Sequence, residues 1–311
     1  MPDKTNQGKD LFQSKDELKF VLDCNSEKII RIDKSDCLYP MDLLALKPQP
    51  EALYCIGNVD LLKKRKISVV GSRKCSEYGR QVAKKIGSAA ALNDFVLVSG
   101  MAKGIDTYGH VGALNADGST IAVLGCGPDV CYPRQNLTLF QQICEKGLIV
   151  SEYLPGTEPL PYRFPQRNRI IAALSEATVV VEAGIDSGSL ITADIANSLG
   201  KTVFAVPGNI TNIQSLGSNR LICDGAQAIS VIDDIFYGIG IQPAIGKETI
   251  DSLGTDELEI LEFIKNNGET TYDKIAAFTG NDIYKVIGIV SVLEIKGLVA
   301  ESIGKIFSCQ T

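Results

Sequence analysis

Residues 67–100 read "ISVVGSRKCSEYGRQVAKKIGSAAALNDFVLVSG", and this stretch decides the fold. A short β-branched run (67–70) precedes a segment with apolar residues at helical spacing, and a second apolar run (95–99) follows it. Continuous apolar strands joined by helices are typical of a parallel sheet that is covered on both faces. The stretch therefore predicts the first β-α-β unit of an α/β domain.

The same alternation continues toward the C-terminus as far as residue 237. Further apolar strands are predicted at 120–124, 148–152, 178–183 and 202–206, with helical patterns between them. The pattern predicts a doubly wound parallel sheet, of the Rossmann-like type, over about residues 60–237. Residues 1–38 are predicted to be a short N-terminal extension, and the Gly-rich stretch before residue 253 is predicted to be a linker, residues 238–252.

The C-terminal segment, residues 253–311, has a different pattern. Three helical patterns with Gly punctuation are followed by a predicted hairpin at residues 300–309, which is typical of a winged helix-turn-helix. Residues 251–311 carry 5 Lys/Arg against 10 Asp/Glu, a net charge of −5 in a chain of net charge −6. Such a segment would be repelled by a phosphate backbone, so we predict that it does not hold duplex DNA.

Composition excludes several classes of protein. The apolar content of 45% and the charged content of 22% are ordinary for a soluble globular chain. The first 30 residues lack the apolar core of a secretory signal, and no run approaches the ~18 apolar residues of a membrane span, so a cytoplasmic protein without a membrane partner is predicted. The nine cysteines form no CxxC pair and His110 is the one histidine, so we predict no metal site and no cofactor.

Five glycine-rich turns follow predicted strands, where an open α/β sheet binds its ligands. Glycine lets backbone N–H groups approach a ligand, and helix N-termini at these turns favour anions, so the turns predict a site for a phosphate compound. The first turn has neither the G-x-G-x-x-G of a dinucleotide site nor a P-loop, and no G-x-S-x-G elbow occurs. The turns are at residues 71–73, 100–106, 125–128, 184–189 and 207–209.

Two positions remain open on the residues alone. His110 is either a packed, hydrogen-bonded core histidine or a ligand contact. Residues 161–169, "PYRFPQRNR", predict an extended loop that becomes a helix near Arg167, with Phe164 between two prolines and among arginines. Phe164 is either a base-stacking ring beside phosphate-binding arginines, or a core residue whose neighbouring arginines pair with Glu152 and Glu158.

Taken together, the motifs of residues 38–237 resemble the DNA-processing protein A family. Many members of that family carry a Lys three residues before the Phe of the "FP" motif, whereas this chain has Pro161 there. The matching motifs are Tyr39-Pro40, Gly71-Ser72-Arg73, the run from Ser99-Gly100 to His110, Tyr132-Pro133, Phe164-Pro165 through Arg169, Ser187-Gly188-Ser189, Pro207-Gly208 and Gly217 through Ala226.

The resemblance implies an extended Rossmann-like domain, residues 39–237, that binds single-stranded DNA, with a C-terminal winged-helix domain at 253–311. It implies a non-enzymatic, dimeric mediator that protects incoming DNA and helps to load the RecA recombinase in transformation and homologous recombination. Arg73 would contact phosphate, Phe164 would stack on a base, and backbone N–H groups at 187–189 would bind phosphates. The predicted DNA-binding residues are Gly71, Ser72, Arg73, Lys103, Arg163, Phe164, Arg167, Asn168, Arg169, Ser187, Gly188 and Ser189.

Two further expectations accompany this one. The alternative function is a nucleotide phosphoribohydrolase of the "lonely guy" type, but its P-G-G-x-G-T-x-x-E loop has no counterpart here, since "AGIDSGSLITAD" has no Glu at that spacing and Asp194 follows instead. The apolar stripe of Ile232, Ile235, Phe236 and Ile239 either covers the domain's own core or forms a two-fold dimer contact, and the resemblance favours the dimer contact.

Overall fold

A computed structural model describes residues 29–244, 253–296, 298–302 and 304–308. The chain divides into two compact units, Met1–Ile241 and Gln242–Thr311. Of the predicted N-terminal extension, residues 1–28 lie outside the described residues, as do residues 245–252 of the predicted linker.

The first unit is built on one large, mostly parallel sheet. Among the described residues, nine strands pair in the order β1-β2-β6-β5-β4-β3-β7-β8-β9. The strands are β1 (Ile30–Asp33), β2 (Ala52–Gly57), β3 (Lys66–Val70), β4 (Val96–Ser99), β5 (Thr120–Leu124), β6 (Leu148–Ser151), β7 (Ala177–Val180), β8 (Thr202–Ala205) and β9 (Gln227–Ala228).

All six predicted strands are present, as β3 to β8, but the sheet is not entirely parallel. Strand β2 pairs antiparallel with β6, and β1 pairs antiparallel with β2. The predicted parallel pairing is confirmed for the strands of residues 60–237, and the two antiparallel pairings involve β1 and β2, which precede that range and have no crossover helix between them.

Helices cover both faces of the sheet. Val96 and Val98 pack toward one face with Ile170 and Ile171, whereas Leu97 packs toward the other with side chains of the helices after β3 and β4. This alternation is what a doubly wound sheet requires, because neighbouring strand residues point to opposite faces. The helices of the unit are α1 (Glu77–Leu92), α2 (Ile105–Asn115), α3 (Leu137–Lys146), α4 (Arg163–Leu174), α5 (Gly188–Ser198), α6 (Leu216–Cys223) and α7 (Asp234–Tyr237).

The apolar stripe near residue 235 belongs to the core of this unit. Ile235 and Phe236 are fully buried on short helix α7, and the Phe236 ring packs 5.7 Å from that of Phe95. Ile232 and Ile239 pack against the same cluster. Ile235 and Phe236 therefore cover the core of their own domain, and a dimer contact near this helix stays a prediction.

The second unit has a small core of its own. Helix α8 (Thr255–Asn267), strand β10 (Glu269–Thr270), helices α9 (Tyr272–Thr279) and α10 (Ile283–Ile295), and strands β11 (Val299–Ser302) and β12 (Lys305–Ser308) follow in order. The three strands form an antiparallel sheet in the order β10-β12-β11. The buried side chains that join these elements include Ile260, Ile264, Ile275, Val286, Val290, Leu293 and Ile306.

No single helix of the described residues is long and apolar enough to cross a membrane. Helices α9 and α10 meet the length and composition criterion only as a pair, which is bent by 112°.

Candidate functional site

A cleft of about 420 Å³ opens at the carboxyl ends of strands β3 and β7. Strand β3 is paired with β4 on one side and β7 on the other, so the chain winds away in opposite directions from this point. Open α/β sheets bind ligands at such switch points, because the loops there diverge and leave a crevice. The walls are residues 71–73 after β3, 184–189 after β7, one side of α4, and Ile213 and Gln214.

The turn after β3 is held rigidly. A Cβ atom on Gly71 would lie 2.6 Å from Cγ1 of Ile105 and 2.8 Å from the Glu182 carbonyl oxygen, so only glycine fits there. The Ser72 N–H donates to the Glu182 carbonyl at 2.6 Å, and the Ser72 hydroxyl donates to Oε1 of Gln214 at 2.6 Å. This fixed turn holds the next residue, Arg73, at the surface of the cleft.

Arg73 and two aromatic rings form a platform. The Arg73 guanidinium carbon lies over the Phe164 ring, 5.6 Å from its centroid. The Phe164 ring packs on that of Tyr132 with centroids 5.3 Å apart and planes inclined by 30°. Arg73 is exposed and forms no ion pair with any residue that the structure describes. The platform therefore combines a free positive charge with a half-buried aromatic face.

Helix α4 begins at Arg163, four residues before the predicted start near Arg167. Pro165 stands in the first helical turn, where its missing N–H has no intrahelical partner to lose. Phe164 is thus held by a helix and not by an extended loop, which corrects the sequence prediction. The proline that suggested a loop is compatible with a helix start, which is why the local pattern misled.

Arg167 is an interior residue with its guanidinium at the floor of the cleft. Its side chain is 3% exposed, and Nη1 donates to the carbonyl oxygens of Gly100, at 2.7 Å, and Val123. Those carbonyls lie at the ends of β4 and β5, so Arg167 ties the two strand ends together. Burial lowers the Arg167 pKa, and the nearby Asp106 carboxyl opposes that shift.

Asp106 is the other buried charged group of the cleft. Its Oδ2 accepts from the Gly100 N–H at 3.1 Å and from the Ala102 N–H at 3.4 Å. Burial raises the pKa of this carboxyl, and the Arg167 charge opposes the shift. Asp106 and Arg167 together fix the turn after β4, which lies beneath the platform.

The turn after β7 leads into the N-terminus of α5. The Ser187 hydroxyl caps the helix, with Oγ 3.4 Å from the Ser189 nitrogen and 2.7 Å from the Ser189 hydroxyl. The Asn168 amide donates to the Gly188 carbonyl at 3.0 Å and so connects α4 to this turn. Nothing lies within 4 Å of a Cβ position on Gly188, so a ligand can approach the start of α5 at this residue. An exposed helix N-terminus is an anion-binding feature.

Three predicted cations are not brought into the cleft. Arg169 forms an ion pair with Glu152 at 2.6 Å, with both side chains largely buried. Arg163 donates to the Glu158 carbonyl at 2.5 Å and lies over the Tyr153 ring, 4.9 Å from its centroid. Lys103 is exposed and does not line the cleft. The remaining nine predicted residues all line it: Gly71, Ser72, Arg73, Phe164, Arg167, Asn168, Ser187, Gly188 and Ser189.

The cleft residues that were absent from the sequence prediction include two exposed apolar side chains. Ile185 and Ile213 are 67% and 72% exposed, yet both are large and apolar and both line the cleft. The signal for Ile185 was an isoleucine inside a polar, glycine-rich turn, "AGIDSGS". No sequence pattern around Ile213 indicated a place at the cleft, because that place depends on how the segment after β8 packs.

His110 is packed in the interior, the first of the two interpretations above. Its ring is fully buried, and Nδ1 lies 2.6 Å from the Thr120 hydroxyl. Burial lowers the His110 pKa to about 3, so the ring is neutral at physiological pH. His110 does not line the cleft and supplies no acid or base there.

Comparison with known proteins shows the family of this chain. A family model described as DNA recombination-mediator protein A matches residues 30–240. This chain belongs to that family. The DNA recombination-mediator protein A family also includes the DNA processing protein DprA of Streptococcus pneumoniae, which is 46% identical over 200 residues, 64% of this chain and 70% of that protein. The protein Smf of Escherichia coli is 35% identical over 271 residues, 84% of this chain and 72% of Smf.

Solved structures of the DNA recombination-mediator protein A family have the same fold. DNA processing protein A from Streptococcus pneumoniae matches with a TM-score of 0.65 and 44% identity, over 68% of this chain and 74% of that one. The protein of the same name from Helicobacter pylori, whose structure was described for its single-stranded DNA binding mode, matches with a TM-score of 0.62 and 31% identity. That match covers 68% of this chain and 95% of the Helicobacter chain.

Proposed function

We propose that this protein binds single-stranded DNA in the cleft between β3 and β7, protects it, and helps to load the RecA recombinase onto it. The observation that carries the proposal is the platform, where an unpaired guanidinium, Arg73, and an aromatic ring, Phe164, meet at the wall of one cleft. The single-stranded DNA binding described for the Helicobacter pylori relative supports it.

The two halves of a nucleotide would be held by different parts of the cleft. Phe164, backed by Tyr132, offers a ring on which a base can stack, and stacking requires that the base be unpaired. Arg73 and the N-terminus of α5 offer positive charge and N–H donors to the neighbouring phosphates. Because stacking and phosphate contacts read no base edge, the binding has little sequence preference.

Arg73 has to leave the Phe164 ring when a base arrives there. In the free protein the guanidinium lies over that ring, and its cation–π contact is replaced on binding by an ion pair with a phosphate. Ile185 and Ile213 give the opposite wall an apolar surface, which excludes water from the ring of the bound base. Lys103, Arg163 and Arg169 lie outside the cleft, so we propose that they contribute at most to the positive electrostatic potential around it.

We propose that the protein is not an enzyme. The residue that follows the "SGSLITA" turn, Asp194, lines a separate cleft with Lys201 and Asp224 and not the one described above. The buried, neutral His110 offers no acid or base to the cleft. Asp186 of this turn lines the cleft, but the turn has no Glu at the spacing of the "lonely guy" loop, so we expect no base release from nucleoside monophosphates.

The remaining features of the proposal concern the whole chain. We propose a cytoplasmic homodimer with a DNA-binding domain at residues 39–237, an N-terminal extension at 1–38, a linker at 238–252 and a winged helix at 253–311. The three helices and three-stranded antiparallel sheet of the second unit support the winged-helix assignment. Ile235 and Phe236 are buried in their own domain, so we propose that other residues form the dimer contact.

Fluorescence anisotropy with a labelled, hairpin-free strand and its blunt duplex tests the proposal. We expect tighter binding of the strand than of the duplex, with an affinity that falls as salt rises, because phosphate contacts release counterions. A RecA assembly assay on the same strand, coated with single-strand binding protein, tests the loading activity. Equal affinity for strand and duplex contradicts the proposed function, as does release of free base from nucleoside monophosphates.

A further inference from the structure

Helix α10 of the second unit has two apolar faces, and only one of them is covered. Val286, Val290 and Leu293 are buried in the unit's core. On the opposite side the helix presents a stripe without a charged residue, which we call the outer stripe. It consists of Tyr284, Ile287, Gly288, Ser291, Val292 and Ile295.

The outer stripe is open. Tyr284 is 80% exposed and Ile295 is 86% exposed, while Ile287 and Val292 are each 39% exposed. A helix that is apolar on both sides is normally covered on both sides, and a contiguous exposed apolar patch marks an interaction surface. The stripe runs from Tyr284 to Ile295, about 17 Å of helix and three turns long. This length suits one helical segment of a partner.

Two small residues lie in the middle of the stripe. Gly288 has nothing within 4 Å of its Cβ position, and Ser291 is exposed one turn further along. Between Tyr284 and Ile295 they leave a shallow depression flanked by larger side chains. A helix can seat an apolar side chain in such a depression, as in helix-in-groove recognition.

The charges around the outer stripe indicate which kind of partner can bind there. Both lysines of this segment are engaged, Lys285 with Asp256 at 2.6 Å and Lys296 with Glu257 at 3.0 Å. Asp282, the N-cap residue of α10, and Glu294 within it form no ion pair with any described residue. The rim of the stripe is therefore acidic, within a segment of net charge −5. Nucleic acid, an anionic membrane and a second acidic copy of this unit are all repelled by it.

We propose that the outer stripe of α10 docks an amphipathic helix of a partner protein, with apolar anchors facing the stripe and Lys or Arg at the edges. Tyr284 is the main anchor residue, because a rigid and exposed aromatic side chain adds contact area at low entropic cost. The unit then contributes a protein contact, separate from the DNA cleft of the first unit.

The test uses the full chain and a defined probe, a labelled amphipathic peptide of about fourteen Leu and Lys residues, with a Leu/Glu peptide of the same pattern beside it. We expect saturable binding of the Leu/Lys peptide and none of the Leu/Glu peptide. Tyr284→Asp and Ile295→Asp should weaken binding about tenfold or more. Each of these variants adds a negative charge, so non-specific attraction of a cationic peptide would change in the opposite direction.

Ile210→Asp is the matched control, because Ile210 is 81% exposed in the first unit and the change in charge is the same. It should leave peptide binding unchanged. If the Asp variants lose helical signal in circular dichroism, Tyr284→Ala and Ile295→Ala replace them, since those side chains lie outside the core. Undiminished peptide binding by these variants overturns the proposal, as does equal binding of the Leu/Glu peptide. Self-association that is lost in Tyr284→Asp, or binding to anionic vesicles, identifies a different occupant and also overturns it.

Discussion

Arg73 and Phe164 come from two different segments that line one cleft, the turn after β3 and the first turn of α4, and the guanidinium carbon of Arg73 lies 5.6 Å from the centroid of the Phe164 ring. Each residue covers part of the other in the absence of DNA. Replacing either one alone changes both the charge and the aromatic surface of the platform. The phosphate contact of Arg73 and the base stacking of Phe164 are therefore distinguished by how each substitution changes the salt dependence of DNA affinity.

Arg73→Ala should weaken binding of a single strand and flatten its salt dependence. The slope of log affinity against log salt should fall by about 0.7, because one phosphate contact of a single strand is lost. Anisotropy titrations at several salt concentrations give the slope. Arg220→Ala is the matched control, since Arg220 is exposed and pairs with Asp224 outside the cleft. An unchanged slope in Arg73→Ala would mean that Arg73 does not contact phosphate.

Phe164→Ala should weaken binding while the salt slope stays constant. The expected loss is about 1–3 kcal/mol, the value of one base–aromatic stack. Phe164→Tyr should keep most of the affinity, because its ring also stacks. Urea unfolding of the same variants provides the control. If Phe164→Ala unfolds the protein, the ring belongs to the core and the stacking role fails.

Arg167→Gln should destabilise the protein. The change leaves the buried carbonyls of Gly100 and Val123 without their donor and Asp106 without its nearby positive charge. We expect a loss of about 3 kcal/mol in the free energy of unfolding. Arg163→Gln, which removes one hydrogen bond at the surface, should cost less than about 1 kcal/mol. Equal losses in the two variants would contradict the structural role of Arg167.

His110 should make stability depend on pH in the acidic range. Its folded pKa of about 3 lies below the usual value of 6.5, so the unfolded chain binds a proton that the folded chain does not. The contribution of His110 to the free energy of unfolding is therefore fully present above pH 6.5 and is lost as the pH falls toward 3. Between pH 7 and pH 5 the loss from this group is about 2 kcal/mol. His110→Asn should remove that part of the pH dependence in urea unfolding, and an identical pH profile in both proteins would contradict it.

Removing the second unit should leave binding of a single strand within a few-fold of the full chain. The cleft is lined entirely by residues of the first unit, so a chain of residues 1–240 keeps all of it. The isolated second unit should not bind duplex DNA, because its net charge is −5 and the lysines of α10 are paired. Titrations of residues 1–240 and of the isolated second unit with single-stranded and duplex DNA measure these affinities. Tight duplex binding by the isolated unit would contradict the prediction.

Local pattern was sufficient for much of the fold but not for its edges. Strands β3 to β8 follow from apolar runs, because a strand that is buried on both faces has to be continuously apolar. Strand β2 was missed, because its antiparallel pairing with β6 joins segments far apart in sequence. The start of α4 was misplaced because Pro165 suits both a loop and a first helical turn.

The sequence by itself determined the class of fold and the family, since these depend on residue type and local spacing. Of the five predicted turns, those at 71–73, 100–106 and 184–189 contribute to the cleft, whereas those at 125–128 and 207–209 do not line it. Tertiary structure alone decided which arginines are available. Three arginines cluster in residues 161–169, yet Arg167 is buried in the floor, Arg169 is paired with Glu152, and Arg163 faces Tyr153. The exposed charge beside Phe164 comes instead from Arg73, on another wall. The availability of a charged side chain depends on the partners that packing brings to it, and those partners are distant in sequence.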